Sequence, residues 1–470
     1  MRSLDTNSIG PRPLRIPPMH LPETFTRRNL LQVGSVGILG LSLPELLRAT
    51  EAGPKRRRAK SIIYLHQYGG PSQYETFDMK PDAPAQIRGS FKPMASKLPG
   101  LSVCELLPRM AQLMDKVTVI RSVQHTMKNH NAAGYYSLTG FSPPTDDQRL
   151  RDSLELFPTF GSIVDKFSPS KKGVPSFVSY PYVISDGSIT PGQHSSFLGK
   201  LYNPFFIKQD PNSPDFKLPE LSLPANLSLE RLENRKEVLR LIDSQTDLIE
   251  KSAVAHGIDE SYRKAVAMLT SNEFKKAFDL SEEKQSVRDR YGRTTYGQGC
   301  LLARRLVEAG VRFTTVYLSP SIGGCEGGWD THGFNDKPMD PILKNYLLPL
   351  TDQTLSALLE DLEERGLLDD TIVLWMGEFG RTPRINKLAG RDHWPQCYTI
   401  LMAGGGIKRG NIVGASDKIG AYPDRGLVRI EDVSATFYEL LGIDPETEIR
   451  DKFGRPFPIS KGKPIADAMA

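Results

Sequence analysis

Apolar residues are gathered into short unbroken runs. Ser61-Ile62-Ile63-Tyr64-Leu65-His66 closes on Gly69-Gly70-Pro71-Ser72, the pattern of a buried core strand that empties into a sharp turn. Val117 to Val123 repeats it before Gln124-His125, and a helical stretch around Ala132 to Leu138 follows. Residues 150 to 225 are rich in Pro, Gly, Ser and aromatics and read as loops with short strands such as Ser176 to Tyr180. Over 226 to 309 apolar positions recur at three and four, which predicts several helices with solvated charged faces. The last of them, "GCLLARRLVEAG", ends at Gly310 as a helix does. Alternation then resumes: strand Val311 to Leu318, helix Ile342 to Gly366, strand Thr371 to Met376, strand Tyr398 to Met402, helix Ile430 to Leu441. Strands spaced by helices of this length predict an open α/β sheet covered on both faces. Ligands in such sheets sit beyond the carboxyl ends of the strands.

The first fifty residues do not fit that pattern. Arg27-Arg28 precedes a short, Gly-rich apolar stretch from Val33 to Leu43, which reads as a twin-arginine export signal. The stretch is too short to span a bilayer as a mature helix. Residues 1–53 are therefore expected to be signal and linker, and 54–470 the folded body, exported to the periplasm or beyond by the twin-arginine machinery. That route carries folded proteins, often with a cofactor in place. A formal charge of +5 over 470 residues is small, and no nucleic-acid-binding signature accompanies it. Cys104, Cys300, Cys325 and Cys397 form no CxxC, which argues against a thiolate zinc cluster; their pairing stays open.

The chemistry lies after the strands. Asp330 and His332 in "GGWDTHG" are two apart, so an extended segment points both the same way. Glu378 comes two residues after a strand, and Arg391-Asp392-His393-Trp394 closes the same loop. Carboxylates and imidazoles from successive strand ends are the usual mixture for zinc, manganese or iron, with calcium open if carboxylates dominate. Of eight histidines, His66, His125, His130, His332 and His393 fall at or just after strand ends. Asn129-His130-Asn131 is polar for the start of a helix, where backbone N–H groups suit an anion or these residues serve as ordinary caps. Arg381 and Arg384 either hold phosphate, sulfate or carboxylate, or brace the loop against Glu378.

"GGPSQYETFDMKP", "HNAAGYYSLTG", "CLLARRLVEAGVRF", "GGWDTHG", "WMGEFGRTP" and "GRDHW" occur in this order, and the chain after residue 60 resembles the domain of unknown function 1501 family. That family in turn looks like a branch of the alkaline phosphatase and sulfatase superfamily. The resemblance implies a three-layer α/β/α sandwich, here with a largely helical insertion over about 226–300, and hydrolysis of phosphate or sulfate esters at a divalent metal. It implies Asp330, His332, Glu378 and His393 as metal ligands. The pattern also departs from the superfamily: the first strand lacks metal-binding aspartates, and counting ten back from Gly140 reaches His130 rather than a Ser or Cys nucleophile. His130 is thus the catalytic candidate, as nucleophile or as a ligand beside an activated water, with Asn131 and Arg381 as substrate contacts. Ser72 is a weaker nucleophile candidate.

Two functions are consistent with these residues. One is an exported metal-dependent hydrolase of a small anionic ester or a sulfated or phosphorylated glycan. The other is an inactive relative that binds an anionic glycan or envelope partner through the same cleft.

Overall fold

The computed structural model describes residues 58–216, 267–268, 271–322 and 327–470. The twin-arginine segment, Cys325 and most of the expected insertion lie outside the described residues. Eight strands form one sheet: β1 (Ser61–His66), β2 (Val117–Val123), β3 (Phe177–Tyr180), β4 (Phe205–Phe206), β5 (Phe313–Tyr317), β6 (Thr371–Met376), β7 (Tyr398–Ala403) and β8 (Asn411–Val413). Their order is β8-β2-β7-β6-β1-β5-β3-β4.

The apolar runs make the central strands because both faces of the sheet are covered. Ile62, Tyr64, Leu374, Met376, Ile400 and Met402 enter one apolar core; Ile63, Leu65, Val373, Trp375 and Leu401 enter the other. The first core is closed by helices α2 (His130–Thr139), α3 (Phe160–Phe167) and α8 (Ile430–Leu440). The second is closed by α1 (Pro108–Leu113), α4 (Asn272–Phe278), α5 (Gln285–Tyr291), α6 (Thr295–Glu308) and α7 (Leu348–Glu364). This is the sheet covered on both faces that the alternation predicted, and the α/β/α sandwich that the resemblance implied. Each fully buried Leu or Ile contributes about 1.5–3 kcal/mol, and a one-residue slip would turn every such side chain to the wrong face.

The sheet is mixed. β7 runs antiparallel to both β2 and β6, because residues 377–397 contain no crossover helix and parallel neighbours need one. Consequently β6 ends and β7 begins at the same edge of the sheet, where β1 also ends. The two edge strands, β4 and β8, are two and three residues long and escape a reading that depends on periodicity. The described part of the stretch read as an insertion supplies α4, α5 and the start of α6, all packed into the second core.

Candidate metal centre

The site is built on the edge where β1, β5 and β6 end. Past β1 the chain reverses through Gly69 and Gly70, at φ +104° and +78°. A side chain on Gly69 would place its Cβ 2.4 Å from the Trp329 nitrogen and 2.5 Å from that of Asp330. Glycine is required there by both the backbone angle and the close approach. The turn then supports the site from below: the Gly69 N–H donates to Glu378 Oε1 at 2.8 Å, and the carbonyls of Gly69 and Gly70 accept from Arg381.

Asp330 Oδ1 is the hub. His332 Nε2 lies 2.9 Å from it, His393 Nε2 3.1 Å and His130 Nε2 3.5 Å, while Arg381 donates to it at 2.7 Å. Donor atoms of His130, Asp330 and His393 all fall within 4.8 Å of one another, and the Nε2 atoms of His332 and His393 are 2.8 Å apart. His332 and Asp330 meet as their spacing predicted. His393 arrives from the ribbon in which Gly380–Arg381 pairs with His393–Trp394, and His130 from the first turn of α2.

What the outer nitrogens do fixes the inner ones. His332 Nδ1 faces Asp392 Oδ1 at 2.9 Å, His393 Nδ1 faces the Lys128 carbonyl at 2.7 Å, and His130 Nδ1 faces Glu378 Oε1 at 2.7 Å. Each partner is an acceptor, so each Nδ1 carries a proton; a neutral ring then turns a lone pair at Nε2 toward Asp330, and a protonated ring donates to it. Without an ion the arrangement is held by protons on the rings and by the Arg381 guanidinium, which reaches Asp330 Oδ1 at 2.7 Å and His332 Nε2 at 3.4 Å; a divalent ion would take the place of the protons. The buried His130 Nε2 has no hydrogen-bond partner. The donor set therefore fits a divalent ion of the zinc or manganese type, with the outer partners orienting the ligands.

The electrostatics describe the site without an ion. Burial alone would raise the Asp330 carboxyl, but Arg381 and the three imidazoles hold it far below the usual carboxylate range. Burial lowers His130, yet Asp330 and Glu378 outweigh it and raise the imidazole to about 9. His393 is lowered to about 4, chiefly by burial, with Arg381 and His130 adding to it. Asp392 resists its burial and stays below its ordinary value through His332 and Asn386.

The other expected residues have these partners in the structure. Glu378 is fully buried and stands behind His130, where its Oε1 receives two hydrogen bonds; burial tends to raise it, but His130 keeps it low. Arg381 is equally buried and has its donors on Asp330 and on the carbonyls of Gly69, Gly70 and Arg391. Asn131 donates to the carbonyls of Gln148 and Asp186 and accepts from Thr190, tying the 148–190 region to α2. Ser72 is buried and donates to Glu75, itself clamped by Arg391 at 2.5–3.1 Å. Sequence reasoning missed the Lys128 carbonyl, a backbone atom that no side-chain pattern reveals. It also missed the bond from His125 Nε2 to the Glu378 carbonyl, 2.6 Å.

Solved structures with distant likeness were found. The crystal structure of Ps i-CgsB shares 11% identity at a TM-score of 0.40, covering 82% of this chain and 72% of that one. The lipoteichoic acid synthase LtaP from Listeria monocytogenes shares 12% at 0.38, covering 89% and 77%. A protein in the alkaline phosphatase superfamily from Vibrio parahaemolyticus shares 12% at 0.40, covering 88% and 71%. Likeness of this degree says nothing of activity. No curated protein sequence matches the chain. The match that does cover it runs over residues 59–469, and by it the chain belongs to the DUF1501 family, proteins of unknown function.

Proposed function

We propose that this protein is a metal-dependent hydrolase of phosphate or sulfate esters, with His130, Asp330, His332 and His393 holding one divalent ion. The observation that carries the reading is the convergence of three imidazole Nε2 atoms on Asp330 Oδ1, each ring oriented by an acceptor at Nδ1. A divalent ion supplies Lewis acidity that polarises an ester oxygen and eases deprotonation of water. The chain's own groups do the rest. Arg381 balances the charge of Asp330 and braces the Gly69-Gly70 turn; Glu378 keeps the proton of His130 on Nδ1. In this arrangement His130 serves as a ligand, and attack falls to water, since Ser72 is committed to Glu75. A role for Arg381 or Asn131 toward the substrate requires them to exchange present partners for the anion.

The Arg27-Arg28 signal supports export by the twin-arginine route, and a small anionic ester or a sulfated or phosphorylated glycan is the substrate class we propose. Among the described residues no helix is long and apolar enough to cross a membrane. A second reading, an anion-binding protein without turnover, draws on the absence, among the described residues of the site, of an available hydroxyl or thiol nucleophile. Metal analysis of the exported protein beside a His332→Ala/His393→Ala variant tests both. Near-stoichiometric metal lost only in the folded variant, together with turnover of phosphate or sulfate esters, supports the hydrolase. Metal without turnover supports the binding protein, and a folded wild type that takes up no zinc, manganese or calcium removes both.

A further inference from the structure

Two of the imidazoles around Asp330 depend on one short piece of backbone between β2 and α2. The Lys128 carbonyl accepts from His393 Nδ1 at 2.7 Å, and His130 is the first residue of α2. A shift of residues 128–130 therefore moves His130 directly and turns His393 through the carbonyl that orients it. Lys128 and Asn129 belong to neither element, so no strand ladder or helical turn takes up their N–H groups.

Asp146 takes them. Its Oδ1 accepts from the Lys128 N–H at 3.0 Å and from the Asn129 N–H at 2.9 Å, and its Oδ2 shares the former at 3.0 Å. The Asn129 amide donates to Asp146 Oδ1 at 2.9 Å and to the Asp146 carbonyl at 3.0 Å. Asparagine just before a helix ordinarily accepts from the N–H groups of the first turn. Asn129 makes no such bond, its side chain being turned to Asp146 instead. On the other side of His130, the Asn131 amide donates to the Gln148 carbonyl. The chain that leaves α2 has thus come back to the start of the helix and grips it at 128, 129 and 131.

Bonds from N–H groups to a carboxylate are charge-assisted and roughly twice as strong as neutral ones. Asp146 is nevertheless exposed and lies outside both apolar cores. What its bonds fix is the course of the loop rather than the packing of the sheet. We propose that Asp146 is a positioning residue for His393 and His130. It sets the Lys128 carbonyl that selects the proton-bearing nitrogen of one ring, and the helix start that aims the other. For metal affinity the inference rests on the proposed metal site; for the tautomer of His393 it does not.

The test uses the full-length protein with its histidines isotopically labelled at nitrogen and read by NMR, metal-free and then titrated with zinc. His393→Ala identifies the His393 signals. At neutral pH the wild type is expected to hold a proton on His393 Nδ1. Asp146→Ala should let that proton exchange between the two ring nitrogens and should weaken zinc binding about 10-fold, the lower end for groups that orient metal ligands. Asp146→Asn keeps an acceptor in the place of Oδ1 and should restore most of both. Thermal melts establish that each variant is folded; if Asp146→Ala is not, Asp146→Glu, whose carboxylate is displaced by one methylene, is read in its place. A folded variant whose His393 tautomer and zinc affinity both match the wild type overturns the proposal, because a residue that serves stability alone gives that result. A wild type that takes up no zinc removes the metal reading, and the His393 tautomer then decides the role of Asp146 by itself.

Discussion

Replacing Glu378 by glutamine asks whether this residue binds the ion or orients a ligand that does. In the structure Glu378 Oε1 accepts from both the Gly69 N–H and His130 Nδ1, 2.8 and 2.7 Å away. Glutamine retains an acceptor oxygen of the same reach at Oε1, loses the charge and replaces Oε2 by an NH2 donor. His130 then keeps its tautomer on a neutral bond roughly half as strong. Changes to groups that orient metal ligands typically cost 10–100-fold in affinity, which is about 1.4–2.7 kcal/mol. Glu378→Gln is therefore expected to weaken zinc binding by that factor, while His393→Ala, which deletes a donor, reduces it far more. The assay is competition with a chromophoric chelator at neutral pH, with thermal melts to verify that each variant is folded. If Glu378→Gln abolishes binding as completely as His393→Ala, Glu378 is itself a ligand and the orienting account fails. Unchanged affinity refutes it equally, because the bond to His130 would then do nothing.

Further outcomes follow from the same geometry. His130 is raised from an unfolded value of 6.5 to about 9, so in metal-free protein its contribution to stability is complete below pH ~6.5 and is lost as pH rises through ~9. Melting temperatures in chelator should fall across that window; with zinc, which competes with the same proton, the added stabilisation should grow. A pH-independent difference between the two series contradicts this. Gly69→Ala forces its Cβ against the backbone of Trp329 and Asp330 and should strip metal from a protein that still folds, as metal analysis beside circular dichroism would show. Arg391→Met leaves Glu75 charged and unpaired in the core, a loss of about 3–5 kcal/mol in urea unfolding; adding Glu75→Leu should recover much of it. Ser72→Ala should leave ester turnover per bound metal unchanged, and its loss would return Ser72 to consideration as nucleophile.

The sequence was most legible where burial on two faces forces an apolar run. β1, β2 and β6 have the limits read from the pattern, since every residue between the flanking turns had to be apolar or internally bonded. Asp330 and His332 were legible for a similar reason, as spacing alone sets their direction. The direction of β7 was not, because it depends on the absence of a crossover helix rather than on any residue of the strand. Glu378 shows a further limit. Its place two residues after a strand marked it as close to the site, but whether it or His130 faces Asp330 depends on which residue α2 brings over the sheet edge. For Arg381 and Asn131 the sequence records donors and not the carbonyls that receive them in the structure.

The three imidazoles and Asp330 come from separate connections: the start of α2, the segment after β5 and the return into β7. No fragment of the chain contains the set. An ion bridging them would tie loops that are remote in sequence, and the chain entropy of closing those loops is recovered only once the whole sheet has assembled. Uptake should then be a terminal event in folding, and removal of the ion should free these edge loops to proteases well before the sheet itself gives way.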